Sequence, residues 1–327
     1  VQPLRRKLLR ARVLISLVAV IAAALWYWHP WQWPIVIQEY INPQRHRNLS
    51  AQKPMPLYDG RPGIKAGEEC INPKDGAMLV WVPAGEFLMG TSATELAAWL
   101  KGHPTDKRED FLDEMPQHKV YLDAYYIYQT EVTVAQYRKF CKATGRTMPS
   151  CPYSNRWQDT HPIVNVSWYE ATSYALWAGA ALPTEAQWEK AARGTDGRVY
   201  PWGNAWDAAK CVNNTQSTQP VGSIPASASP YGCLDMAGNA DEWCADWYST
   251  EYFIQSPARN PTGPKRGEAQ VKPRVGVFKG KVRVLRGGDW FGVSSIFYRT
   301  ANRGSFYPDD GWESCGFRCV VRCSVHQ

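Results

Sequence analysis

The stretch HPIVNVSWYEATSYALWAGAALPTEAQWEKAARG, residues 161–194, decides how the rest of the chain is read. Ser167 is followed three residues later by Glu170, and Thr184 by Gln187. Each pair has the form of a capping box: the hydroxyl accepts a backbone N–H, and the longer side chain reaches back to the N–H of the cap. Each run then meets a glycine, Gly179 or Gly194, suited to a left-handed C-terminal cap. Trp168, Tyr174 and Trp188 supply faces to bury. Upstream, TVAQYRKFCKATG (133–145) uses the same device with Thr133, Gln136 and Gly145. The spacing predicts three short, sharply bounded helices.

Strands are predicted on both sides of these helices. AMLVWVPAGEFLMG (77–90) and KVYLDAYYIYQTEV (119–132) precede or overlap them, and VRVLRGG (282–288) and GFRCVVRC (316–323) follow. Strands at both ends of a helical middle predict an α+β domain whose termini pair. Sixteen Trp, 25 Gly and 24 Pro predict a fold rich in irregular structure and held by aromatic packing.

The formal net charge is +7, but five of those charges are Arg5, Arg6, Lys7, Arg10 and Arg12, in a segment with no acid. The remainder is nearly neutral, which excludes a general nucleic-acid-binding surface. Behind the basic segment (1–12), residues 13–34 are almost free of charge, enough to cross a ~30 Å hydrocarbon core. Trp26, Tyr27, Trp28, Trp31 and Trp33 form an aromatic belt at the far side. The expectation is one transmembrane helix with its N-terminus in the bacterial cytoplasm, a linker over 35–66 and a periplasmic domain over 67–327. A cleaved signal peptide, cut at Ala22–Ala24, is the competing reading.

Nine cysteines suit that oxidising compartment. Cys141 and Cys151 bracket a loop short enough to close, and Cys211 with Cys233 is a second candidate pair. No C-x-x-C spacing occurs, so a zinc ribbon is not expected. Near the end, Lys265, Arg266, Lys272, Arg274, Lys279 and Lys281 oppose one acid, Glu268, in what reads as an inserted hairpin or loop. It is either a solvated loop or a contact for anionic lipid or an acidic partner.

Taken in order, GEFLMGT, EMPQHKVYLDAYYIYQTEVTVAQYRKF, the stretch quoted first, YPWGN, YGCLDMAGNADEW, RVLRGGDW, YRTANR and GFRCV resemble the formylglycine-generating enzyme family over about residues 75–322. The resemblance implies a C-type-lectin-like α+β fold. Founding members use copper(I) and oxygen to oxidise a substrate cysteine, with the soft ion held by two thiolates. Those thiolates follow the Gly-Gly motif with C-x-x-x-x-C spacing. Here Gly287-Gly288 is followed by DWFGVSSIFY, the two positions fall near Gly292 and Phe297, and no cysteine lies between Cys244 and Cys315. A family serine falls on Asp289 and a family tryptophan on Asp241. Cys315 and Cys319, the pair that could substitute, are spaced C-x-x-x-C in CGFRC, inside what reads as a packed strand. No copper is therefore expected.

Other members are iron-dependent and use three histidines from a further domain; the six histidines here show neither H-x-x-x-H nor H-x-E spacing. The chain also lacks a GxSxG elbow, a P-loop and HExxH. The resemblance further implies structural calcium, held by Asp235, the carbonyls of Gly238 and Ala240, and Glu242. In place of the copper centre, Asp241, Trp243, Asp289 and Trp290 are expected to form an acidic, Trp-flanked groove. The leading expectation is a membrane-anchored, non-catalytic accessory subunit docking a protein of a membrane or periplasmic redox complex; copper nitrite reductase is one setting in which family members occur. A metal-dependent oxidase or tailoring enzyme and a lectin-like receptor are the other two.

Overall fold

The computed structural model describes residues 55–152, 156–267, 270–271 and 278–322. The expected membrane segment (13–34) and basic N-terminus lie outside the described residues, as do Lys272 and Arg274. Among the described residues no helix is long and apolar enough to cross a membrane.

Two four-stranded sheets organise the domain. The first has the order β1 (Glu69–Ile71), β2 (Met78–Val82), β5 (Tyr125–Tyr128), β12 (Val320–Val321). Its neighbours are antiparallel, and the first and last described strands share this sheet but stand at its opposite edges, with β12 paired to β5, so the strands nearest the termini do not pair with each other as expected. The second sheet has the order β10 (Gly304–Phe306), β9 (Arg283–Arg286), β6 (Asp241–Trp247), β11 (Cys315–Gly316). In it β6 and β11 are parallel, with Cys315 opposite Asp241. A two-stranded ribbon joins β3 (Gly85–Met89) to β4 (His118–Leu122), and the basic insertion carries a small hairpin, β7 (Gln270–Val271) with β8 (Phe278–Lys279). Lys265, Arg266 and Lys281 are exposed around it.

All three predicted helices form, each with both hydrogen bonds of its capping box: α2 (Val134–Thr144), α3 (Trp168–Trp177) and α4 (Glu185–Arg193). Gly145 ends α2 with φ 71° and ψ 15°. A further helix, α1 (Ala93–Gly102), uses the same device with Ser92 and Glu95. Tyr137 of α2 stacks on Tyr174 of α3 at 5.7 Å between ring centroids, over Phe317 and the first sheet. Helix α4 packs Ala186, Trp188, Ala191 and Ala192 into a second cluster between the sheets.

The charged residues of α4 are buried too. Glu185 receives the guanidinium of Arg303 on both oxygens, at 2.7 and 2.9 Å. Glu189 pairs with Arg286 and Arg193. Arg299 grips Glu114 at 2.8 and 2.6 Å. Charged pairs are tolerated in an interior when they are bidentate and otherwise satisfied, and here they tie α4 to β9 and the segment after it.

The expected disulfides are corrected. Cys141 is a buried thiol whose Sγ lies 3.4 Å from the carbonyl of Thr147, so it does not bridge to Cys151; Cys211 and Cys233 are both buried thiols. Cysteine behaves as a small apolar residue at such positions: Cys233 and Cys141 sit in the two main clusters, and burial pushes the Cys211 thiol up to about 12.

Candidate functional site

The site is assembled by the turn that follows β9. Gly287 and Gly288 have φ of 103° and 72°, a region that L side chains rarely adopt. A Cβ on Gly288 would lie 3.0 Å from both the Phe297 carbonyl and the Tyr298 ring. This turn aims the Gly288 N–H at Asp241, donating to its Oδ1 at 3.1 Å. One residue on, Asp289 Oδ1 accepts from the N–H groups of Phe291 and Gly292 at 3.2 and 3.1 Å. The Tyr298 hydroxyl reaches the carbonyls of Asp289 and Gly292 at 2.9 and 2.7 Å. The loop after the Gly287-Gly288 turn is thus a closed hydrogen-bonded knot.

Around it lies a cleft of about 430 Å³, lined by Asp241, Asp289, Phe291, Phe297, Trp312 and Cys315 among others. Phe291 and Trp312 are exposed at its rim. At its floor the two aspartates interact carboxyl to carboxyl. Burial, then the neighbouring Asp289, holds the Asp241 carboxyl well above the ordinary range. Burial raises Asp289 as well, against the opposing pull of Ser314 and the two backbone N–H groups. Two such carboxyl groups in contact disfavour each other's ionisation. Arg303 also borders the cleft, but its charge is matched by Glu185.

Of the four expected groove residues, the structure brings together Asp241 and Asp289. The tryptophans are corrected. Trp243 is fully buried, with its indole N–H donating to the Val166 carbonyl at 2.9 Å, which holds the ring inside the core. Trp290 is buried against Phe291 and does not line the cleft. Phe291, Phe297, Phe306 and Trp312 provide the aromatic surface in their place.

The donor set does not fit copper(I) held by two thiolates. Gly292 and Phe297, the positions that the resemblance assigns to them, both line the cleft and offer no sulfur. Cys315 is the single sulfur among the described lining residues, and burial followed by Asp241 and Asp289 drives its thiol well up, away from thiolate. Cys319 points its chemistry elsewhere: it is buried near Tyr128, Tyr174 and Asp75 in the first cluster.

For calcium, Asp235 lies in a left-handed turn, φ 55°, followed by Gly238 and Asn239 at 84° and 69°. Glu242, however, is spent. Arg318 donates to both its oxygens at 2.7 Å, and the Trp188 indole adds a third bond at 2.8 Å. The expected set is left one carboxylate short. Sequence reading also passed over Glu131, which is buried and close enough to interact with Asp235. Its only signal was an acid beside Val132, three residues after the YYIY strand.

Comparison with known proteins agrees with the architecture. Residues 67–323 match the sulfatase-modifying factor enzyme 1-like domain, and the chain belongs to that family. It is 32% identical to the formylglycine-generating enzyme of Streptomyces coelicolor over 334 aligned residues, covering 83% of this chain and 96% of that one. It is 31% identical to hercynine oxygenase of Mycolicibacterium smegmatis, over 72% of this chain and 57% of the oxygenase. Among solved structures, PvdO from Pseudomonas aeruginosa superposes with a TM-score of 0.63 at 26% identity, covering 80% of this chain and all of PvdO. The family thus includes proteins named as enzymes, oxygenases among them.

Proposed function

We propose that this chain is an accessory member of the family, held at the bacterial cytoplasmic membrane by residues 13–34, that binds a segment of a partner protein in the Asp241–Asp289 cleft. Its partner belongs to a membrane or periplasmic complex of redox type. The observation that carries this reading is the lining of the cleft: the aromatic side chains of Phe291 and Trp312 beside the carboxyl groups of Asp241 and Asp289. An apolar centre gives such a contact its affinity, and charge gives it orientation. The exposed acids Asp309, Asp310 and Glu313, on the loop between β10 and β11, extend the same sign around the rim. The test is retention of partners by the full chain solubilised from its native membrane. The wild type is expected to keep a stoichiometric partner, and Asp289→Lys to lose it while still folding. Equal retention by both would remove the cleft from the binding surface.

A second reading, a modifying enzyme, has one observation of its own: Asp241 and Asp289 meet in the lining of a cleft, where burial and then the neighbouring Asp289 raise the Asp241 carboxyl, an arrangement that general acid–base chemistry uses. The enzymatic names of the relatives support it. A mass change in a partner peptide, present with the wild type and lost with Asp289→Asn, separates it from the first.

A further inference from the structure

The cleft holds a polar group that the fold does not use. Asn302 lines it and is only 8% exposed. The backbone N–H of Asn302 donates to the Arg299 carbonyl, and its carbonyl accepts from Arg286. Its side-chain amide has no hydrogen-bond partner among the described residues. An enclosed amide left unpaired is costly, and it is normally relieved by water or a ligand. Asp241 and Asp289 meet in the same lining. Arg303 also borders it, but its guanidinium is fully committed: to both oxygens of Glu185 and to the carbonyls of Asp113 and Ser249. The described lining therefore offers two carboxyl groups and an amide, with no uncommitted cation. Phe297 and Trp312 add apolar walls.

We propose that the cleft seats the primary ammonium of a lysine side chain carried by the partner segment, with Asp241, Asp289 and the amide oxygen of Asn302 as its acceptors. The inference rests on the cleft being the partner's seat. An ammonium is a compact charge with three donors, which suits three acceptor groups in one lining. Arginine fits less well. Its fork takes two free oxygens of one carboxylate, whereas Oδ1 of Asp241 already accepts from Gly288, and Oδ1 of Asp289 from Phe291 and Gly292. A quaternary ammonium has no N–H to give and would leave all three acceptors unpaired. The four-carbon stem of lysine is apolar and suits the Phe297 and Trp312 walls. Charge agrees as well: burial raises both carboxyl groups, and a cation beside them favours their ionised forms. Asp309 and Asp310 are exposed and draw a basic segment toward this face.

The experiment uses the full chain in detergent and N-acetyl-lysine methylamide as the probe, with binding measured by calorimetry. The ε-acetylated probe and its arginine and norleucine counterparts are the controls. The lysine probe is expected to bind saturably. Its ε-acetylated and norleucine forms should bind about tenfold more weakly or worse, the factor that one charge-assisted hydrogen bond supplies, and the arginine form more weakly than the lysine. Asp289→Asn should weaken the lysine probe about tenfold, and Asn302→Ala about fivefold, with thermal midpoints showing that each variant folds. If Asp289→Asn does not accumulate, Asn302→Ala carries the test. An ε-acetylated or arginine probe that binds as well as the lysine probe, or an Asn302→Ala variant with unchanged affinity, would overturn the inference. No binding of any probe, together with loss of the partner in Asp289→Lys, would also overturn it while leaving the cleft as the partner's seat. Lysine-selective binding, together with retention of the partner by Asp289→Lys, would support the ammonium site and remove the partner's seat instead.

Discussion

The hydroxyl of Tyr298 lies 2.7 Å from the carbonyl oxygen of Gly292, and a β-carbon built on Gly292 would overlap that hydroxyl. A side chain at position 292, cysteine included, would require the buried Tyr298 side chain to shift. Gly292→Ala is expected to cost about 1–3 kcal/mol, the usual penalty for overpacking. Tyr298→Phe, which removes the obstructing oxygen, should reduce the added cost of that substitution. Urea midpoints of the two single variants and the double variant measure the coupling.

The buried pair of Arg303 and Glu185 gives a second expectation. Both are almost fully inaccessible, and the contact is bidentate. Arg303→Met leaves the buried Glu185 with Arg286 alone, at 3.7 Å, and should cost about 3–5 kcal/mol. The exposed pair of Arg138 and Asp159, at 2.9 Å, serves as the contrast. Its removal should cost less than about 1 kcal/mol. Equilibrium unfolding of the two variants, side by side, checks the difference.

Asp246 makes stability depend on pH in a stated direction. Burial, with Glu185 next in weight, raises its carboxyl from 3.8 to about 8. The folded state then holds a proton that the unfolded chain has released. The sign follows: the folded state carries no penalty below pH 4, loses stability as pH rises through the interval up to 8, and levels off above it. The slope in that interval is about 1.4 kcal/mol per pH unit for a single group. Asp246→Asn can keep the acceptor for the Glu185 N–H, which Asp246 Oδ2 now receives at 2.9 Å. Its thermal midpoint should gain on the wild type as pH rises from 4 to 8. A constant difference across that range would show that Asp246 is ionised in the fold.

Much of this fold was legible because its signals are local. A hydroxyl and a Glu or Gln three residues apart fix a helix start wherever they occur, and Thr133, Ser167 and Thr184 all do so. Helix α4 shows where local reading ends. Glu185, Glu189, Lys190 and Arg193 look like a solvated face, yet all are buried. Arg303 and Arg286, the partners of Glu185 and Glu189, lie about a hundred residues on, and a pairing of that span leaves no periodicity to read. The site divides in the same way. Asp241 and Asp289 were readable from their positions in two motifs. Trp243 was not, because its direction is set by a hydrogen bond to Val166, far away in sequence.

Copper binding by the full chain tests the central claim most directly. The protein, with its thiols reduced, is titrated with copper(I) against a competing chelator, then given oxygen and a cysteine-bearing sulfatase-motif peptide. Two soft thiolates are what copper(I) requires, and the cleft presents Gly292, Phe297 and one deeply buried thiol, Cys315. The account predicts no stoichiometric copper at the cleft and no oxygen-dependent loss of peptide thiol. About one equivalent of tightly held copper, with conversion of the peptide cysteine to formylglycine, would contradict it and make the chain an oxidase like its relatives.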